Sequence, residues 1–162
     1  MTNLTLYYQS SLMQGRNSLV RTLISAKRMS STITPTANAP PPAASYSQAV
    51  KVNGFIYVSG QIPYTPQNKP LPGNPTIAEQ AEQVLQNVAN ILEASNSSMK
   101  HIVKANIFLT DMKTQFGEFN LVYAKYFSEH KPARSCVAVK ELPLGVALEM
   151  EVVAIEKDKS NL

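Results

Sequence analysis

The sequence predicts an α+β domain, with one mixed sheet carrying two helices on one face, in the order ββαβαββ. Three features predict it. Asn53-Gly54 separates two strand-like runs and suits a two-residue hairpin, where both turn positions need positive φ. Thr76-Ile77-Ala78-Glu79 has the form of a capping box and opens an apolar helical repeat. Val103, Ala105, Ile107 and Leu109 alternate with more polar neighbours, the period of a half-buried strand.

Each element follows from local chemistry. Tyr46 to Val52 and Phe55 to Ser59 form the two arms of the hairpin. Gly60-Gln61-Ile62-Pro63 ends the second arm, and a proline- and glycine-rich loop runs on to Pro75. From Thr76 to about Ser95, the residues Ile77, Ala81, Val84, Leu85, Val88, Ile91 and Leu92 share one helix face, which must be covered. His101 to Thr110 is the middle strand. Asp111 caps a second helix bearing Phe116, Phe119, Tyr123, Tyr126 and Phe127, and Lys131-Pro132 stops it. Ser135 to Val139 and Ala147 to Ile155 are the last strands, joined through Leu142-Pro143 and Gly145. With both helices on one face, strand residues such as Val58, Ile107, Val137 and Val153 cannot all be exposed cheaply. Burial of apolar area is worth roughly 25 cal/mol per Å², so association through the sheet is expected.

Charge separates the N-terminus from this domain. The chain has 162 residues, 15 Lys+Arg against 11 Asp+Glu, and a pI of about 9.2. The stretch before Thr32 has no acidic residue, but it has Arg16, Arg21, Lys27 and Arg28 and many serines. Leu12, Met13, Leu19, Val20, Leu23 and Ile24 share a helical arc that Arg16 and Lys27 interrupt. This composition is that of a mitochondrial transit peptide, with a disordered basic tail as the plainer alternative. Arginines break the apolar stretch that a secretory signal needs. Arg28-Met29-Ser30 has the form of a matrix-protease site, giving a presequence over 1–29. A proline-rich extended lead-in follows over 30–45, then the domain over 46–157 and a short tail over 158–162. Without 1–29 the basic and acidic residues are equal in number, so the basic pI is poor evidence for nucleic acid. One cysteine excludes an internal disulfide framework and a multi-cysteine zinc site. No apolar run reaches the roughly 18 residues of a membrane span.

Few residues could carry chemistry. There is no glycine-rich phosphate loop, no HExxH and no GxSxG elbow. Cys136 with His101 or His130 could make a thiol dyad, although a lone Cys in a valine-rich strand is more often a small core residue. His130 reads as an exposed residue at a helix end, and His101 as a surface residue. Arg134 shares a strand face with Cys136, and its planar fork suits a carboxylate. A hairpin-like pairing of the last two strands would bring it near Glu149, as a structural ion pair or as a site. Tyr46 alone is a core or interface tyrosine.

Taken together, several segments resemble one family. They are Tyr46-Ser47-Gln48-Ala49, Tyr57-Val58-Ser59-Gly60-Gln61-Ile62-Pro63, Glu82-Gln83-Val84-Leu85-Gln86-Asn87, Asn120-Leu121-Val122-Tyr123-Ala124-Lys125-Tyr126-Phe127, Pro132-Ala133-Arg134-Ser135-Cys136-Val137-Ala138-Val139, Leu142-Pro143 and Glu149-Met150-Glu151. These resemble the Rid family of reactive-intermediate deaminases, the YjgF group, over roughly residues 32 to 156. With the presequence, the chain looks like a fungal-type mitochondrial matrix member.

The resemblance implies a chorismate-mutase-like protomer, assembled as a homotrimer with a site in each inter-subunit cleft. It implies hydrolysis of 2-imino acids such as 2-iminobutanoate and 2-iminopropanoate to 2-oxo acids and ammonia, with no cofactor. The imines would come from PLP-dependent threonine or serine dehydratases. Arg134 would clamp the substrate carboxylate. The backbones of Cys136 and Gly60 would orient the imine, and Glu149 would hold the attacking water. Tyr46 would line the pocket, with Ser59 and Asn120 nearby. Family members usually have Gly-Pro before the tyrosine, where this chain has Ala44-Ser45. Two other functions compete: a translation inhibitor acting on RNA, which charge balance disfavours, and a non-catalytic, chaperone-like trimer that binds small carboxylates. Ser160-Asn161-Leu162 faintly resembles a peroxisomal tail but lacks its basic middle residue.

Overall fold

Six strands and two helices are defined over residues 31–32 and 35–157, the part of the chain that the computed structural model describes. The presequence over 1–29 and the tail over 158–162 lie outside the described residues.

The lead-in supplies one strand more than the predicted order. Ser31–Thr32 (β1) pairs antiparallel with Ala49–Val52 (β2), Thr32 opposite Val50, and forms one edge of the sheet. An edge position tolerates the prolines that follow. The lead-in is also fastened from beneath. The amide of Gln48, only 3% exposed, donates to the carbonyls of Thr36 and Pro40 at 3.2 and 2.8 Å and accepts from the Thr36 N–H at 2.8 Å. A buried amide that finds backbone partners fixes a segment with no regular structure of its own. Tyr46 to Gln48, expected in the first arm, therefore precede β2.

Asn53-Gly54 makes the expected turn, with φ of 51° and 79°. It leads into Phe55–Gln61 (β3), which pairs with β2 from Val52 opposite Phe55 to Ala49 opposite Val58. The capping box forms at Ile77–Ala94 (α1). Thr76 Oγ1 accepts from the Glu79 N–H at 3.2 Å, and Glu79 Oε2 accepts from the Thr76 N–H at 2.7 Å. The expected face is buried through Ala81, Val84, Leu85, Val88, Ile91 and Leu92. Asn87, on the same face, donates to the carbonyls of Ile62 and Tyr64 and pins the loop after β3.

A single 3-10 turn, Met99–His101, precedes Ile102–Leu109 (β4). A register shift between Ile102 and Lys104 leaves Val103 exposed, while Ala105, Ile107 and Leu109 are buried as the alternation requires. Asp111 caps Met112–Tyr126 (α2), its Oδ1 accepting from the Lys113 N–H at 2.9 Å. This helix ends before Lys131-Pro132. His130 is therefore not on a helix end; its Nε2 instead meets the Ile102 carbonyl at 2.5 Å.

The last strands, Ala133–Ala138 (β5) and Leu148–Ile155 (β6), correct one expectation. They do not pair. The order is β1-β2-β3-β6-β4-β5, with β6 antiparallel to both β3 and β4, and β5 parallel to β4. The reason is the α2 crossover, which returns the chain parallel to β4. The parallel pair makes the sheet mixed, as expected.

Alternation along β6 sets the two faces. Leu148, Met150, Val152 and Ala154 are buried beneath the helices, and Glu149, Glu151 and Val153 point the other way. Val58 and Ile107 lie on the helix-covered side, so they do not belong to the open face. Val137 and Val153 do, with Val137 46% exposed.

Candidate active site

Arg134 and Cys136 stand opposite Ala105 and Ile107 of β4, both inward positions, so their side chains emerge on the helix side at the sheet edge. There α2 meets them. Arg134 Nη1 donates to Asn120 Oδ1 at 2.8 Å. The guanidinium carbon lies 4.7 Å from the centre of the Tyr123 ring and 5.8 Å from that of Phe116. Arg134 makes no ion pair with a carboxylate among the described residues, and it is exposed. An arginine held by neutral partners keeps its fork available to an anion.

Cys136 packs against the core. Burial pushes its thiol up from the ordinary range, and the charge of Arg134 offsets this only in part. A protonated thiol is a poor nucleophile. Neither histidine serves a dyad, since His101 Nδ1 meets Ser98 Oγ at 2.7 Å and His130 meets the Ile102 carbonyl.

The other predicted residues gather on the opposite face. Glu149 stands opposite Phe108 on β4 and reaches over Gly60, where β3 bulges against β6 between Val58 and Gln61. A Cβ built on Gly60 would fall 1.8 Å from Glu149 Oε1, so only glycine admits the carboxylate at this spot. Burial, and then the neighbouring charge of Glu151, push the Glu149 carboxyl up from its usual range. Asn106 on β4 fixes Glu151, donating to its Oε1 at 2.8 Å. Ser59 Oγ donates to the Ser47 carbonyl at 2.6 Å, joining Gly60 to the segment that carries Tyr46. Tyr46 is 48% exposed, and its hydroxyl accepts from the Ala43 N–H at 3.2 Å. The Ala44-Ser45 departure lies within this turn, which the Tyr46 N–H closes on the Ala44 carbonyl at 2.8 Å.

The predicted site therefore divides in two. Asn120, Arg134 and Cys136 form a cationic half on the helix side. Ser59, Gly60 and Glu149 form a carboxylate-bearing half on the open side, with Tyr46 on the segment that Ser59 ties to it. The expected proximity of Arg134 to Glu149 fails within the protomer, because β4 separates their strands and the two point to opposite faces. A separate cleft of about 440 Å³ between the loop at Leu71 and α1 contains none of these residues. There Glu82 accepts from the Tyr126 hydroxyl at 2.6 Å, and burial with this bond pushes Tyr126 up to about 12.

Sequence reasoning missed the Tyr123 ring beside Arg134 and missed the fastening role of Gln48. The spacing of Phe116, Asn120 and Tyr123, at i, i+4 and i+7, carries the first signal. Among the described residues no three His, Cys, Asp or Glu side chains converge on a metal position, and no helix is long and apolar enough to cross a membrane.

A mixed sheet covered by two helices, with an arginine half-site and a glutamate half-site on its two faces, defines an α+β protein whose site residues are split between the faces of one sheet. The chain belongs to the Rid, or YjgF, family, matching the family model described as Endoribonuclease L-PSP over residues 36–156. It is 63% identical to "Protein MMF1, mitochondrial" of Saccharomyces cerevisiae, over 88% of this chain and 98% of that protein. The crystal structure of yeast Mmf1 superposes with a TM-score of 0.75 at 64% identity, covering 80% of this chain and all of that one. A Rid-family protein of Yersinia pestis, YyfA, gives 0.73 at 41% identity over 78% and 99% of the two chains. E. coli TdcF with bound serine gives 0.72 at 37% identity over 78% and 100%. The chain is mitochondrial, as its yeast relative is named, and its acid-free N-terminus is consistent with that.

Proposed function

We propose that this protein hydrolyses 2-imino acids, 2-iminobutanoate and 2-iminopropanoate among them, to 2-oxo acids and ammonia. The site is completed between protomers of a homotrimer in the mitochondrial matrix, after a presequence over 1–29 is removed. The observation that carries this reading is Arg134, fastened by Asn120 yet without a carboxylate partner among the described residues.

Its fork takes the substrate carboxylate in two parallel charge-assisted bonds. The backbones of Cys136 and Gly60 orient the imine. Glu149 of the adjacent protomer orients water and accepts its proton as the oxygen bonds to C2. Glu149 returns that proton to the amine nitrogen, the C–N bond breaks with its electron pair on nitrogen, and ammonia departs as the C2 hydroxyl gives its proton to Glu149 and the carbonyl forms. A protonated imine is already electrophilic, so positioning and proton transfer need supply only about 10²–10⁴-fold. Serine bound to TdcF supports a site for a small amino-acid-like carboxylate. Removing such imines would protect mitochondrial PLP enzymes and branched-chain amino-acid synthesis.

The test couples a threonine or serine dehydratase to the mature protein and follows 2-oxo acid release. Wild type accelerates release and Arg134→Ala does not; full activity of Arg134→Ala refutes the reading. The family description names an endoribonuclease, so an RNA-acting function is the second reading. A salt-dependent RNA titration with mature protein separates the two, since phosphate contacts give a steep salt slope.

A further inference from the structure

We infer that Tyr123 is a positioning residue whose ring, with that of Phe116, forms the platform that holds the Arg134 guanidinium for the substrate carboxylate. The inference rests on reading Arg134 as the carboxylate clamp.

Arg134 is an exposed side chain at a sheet edge, and an unsupported arginine there samples many rotamers. Three residues of one α2 stripe remove that freedom. Asn120 holds Nη1 at 2.8 Å, and the Tyr123 and Phe116 rings lie 4.7 and 5.8 Å from the guanidinium carbon. Both ring distances are within the range of cation–π attraction. The platform is itself rigid, because the Tyr123 ring packs on Phe119 and Phe127 with centroids 5.6 and 4.3 Å away. A pre-held fork binds an anion without first losing its own freedom.

The hydroxyl separates the platform role from a hydrogen-bonding one. Tyr123 is 7% exposed, yet its buried hydroxyl has no hydrogen-bond partner among the described residues. A buried tyrosine hydroxyl normally finds one. The position therefore acts through the ring face that it turns to Arg134, and phenylalanine should serve in its place.

The test measures binding of 2-oxobutanoate, the expected product, and of its neutral amide by calorimetry, together with kcat and KM in the coupled assay. Tyr123→Leu should bind 2-oxobutanoate about 3- to 30-fold more weakly, the range of one cation–π contact. The affinity of the amide should not change, and KM should rise while kcat is largely kept. Tyr123→Phe should match wild type in all four. Wild-type affinity in a folded Tyr123→Leu overturns the inference, as does an equal loss in Tyr123→Phe or an equal loss for the amide. If Tyr123→Leu does not fold, Phe116→Leu decides: a smaller but measurable loss for the carboxylate alone supports the platform, and no loss overturns it. Arg134→Ala keeps the two readings apart. Unchanged 2-oxobutanoate binding in that variant defeats the carboxylate clamp itself, whereas a loss there with none in Tyr123→Leu defeats only the platform.

Discussion

Arg134 and Glu149 project from opposite faces of one sheet, on strands separated by β4, so the proposed site joins Arg134 of one protomer to Glu149 of the next. Two inactive variants should therefore repair each other. Arg134→Ala and Glu149→Gln are each expected to be nearly inactive alone, with Glu149→Gln losing about 2–4 kcal/mol of transition-state stabilisation. Unfolded together in equal amounts and refolded, they should recover about a quarter of wild-type activity, since that fraction of interfaces in a random closed ring joins an intact Arg134 to an intact Glu149. No recovery in verified mixed assemblies would place both residues in one protomer's site.

Gly60 governs the placement of Glu149. Gly60→Ala puts a methyl group where the carboxylate oxygen now lies. The far end of Glu149 can swing away, so melting should change by less than about 1 kcal/mol. The water-positioning geometry cannot survive the swing, and kcat should fall at least about tenfold, or 1.4 kcal/mol. Unchanged kcat would show that Glu149 does not act from this position.

The raised Glu149 carboxyl makes a signed prediction about pH. If it takes a proton from water, activity falls as pH drops through its raised value. Glu151→Gln removes the neighbouring negative charge and should move this acid limb to lower pH. The stability effect runs the other way. A carboxyl raised in the folded state contributes stability below its unfolded value and loses that contribution as pH rises through the folded one. Glu149→Gln should accordingly melt higher than wild type near neutral pH, with the gain shrinking towards acid. A lower melting temperature at neutral pH would contradict the shift.

Thr76→Ala removes one side of the capping box, whose hydrogen bonds involve no residue of either half-site. It should cost about 1 kcal/mol in urea unfolding and leave kcat/KM unchanged.

What could be read from the chain beforehand was local. Asn53-Gly54, Thr76 to Glu79 and the alternation along β4 are short-range patterns with one physical solution each, and all three form. The candidate site residues could be named as a set through their motifs, but their division between faces could not. That division depends on β6 entering between β3 and β4, a long-range choice that no spacing records. The pairing of Ser31–Thr32 and the fastening by Gln48 escaped for a related reason. A proline-rich segment has no period, and its order comes from a buried amide contributed elsewhere in the chain. Val58 and Ile107 were assigned to the wrong face although each alternates in step with the buried residues of its own strand, Ile56 for the first and Ala105 and Leu109 for the second.

The position of β6 has a consequence for how the protein is made. The hairpin of β2 and β3 and the unit of β4, α2 and β5 share no strand-to-strand hydrogen bonds until β6 joins them. Among the described strands β6 comes last in the chain yet lies in the middle of the sheet, so the sheet cannot close until β6 has been made. Until then the hairpin and the β4–α2–β5 unit remain separate pieces, a state compatible with the passage of an unfolded chain into mitochondria.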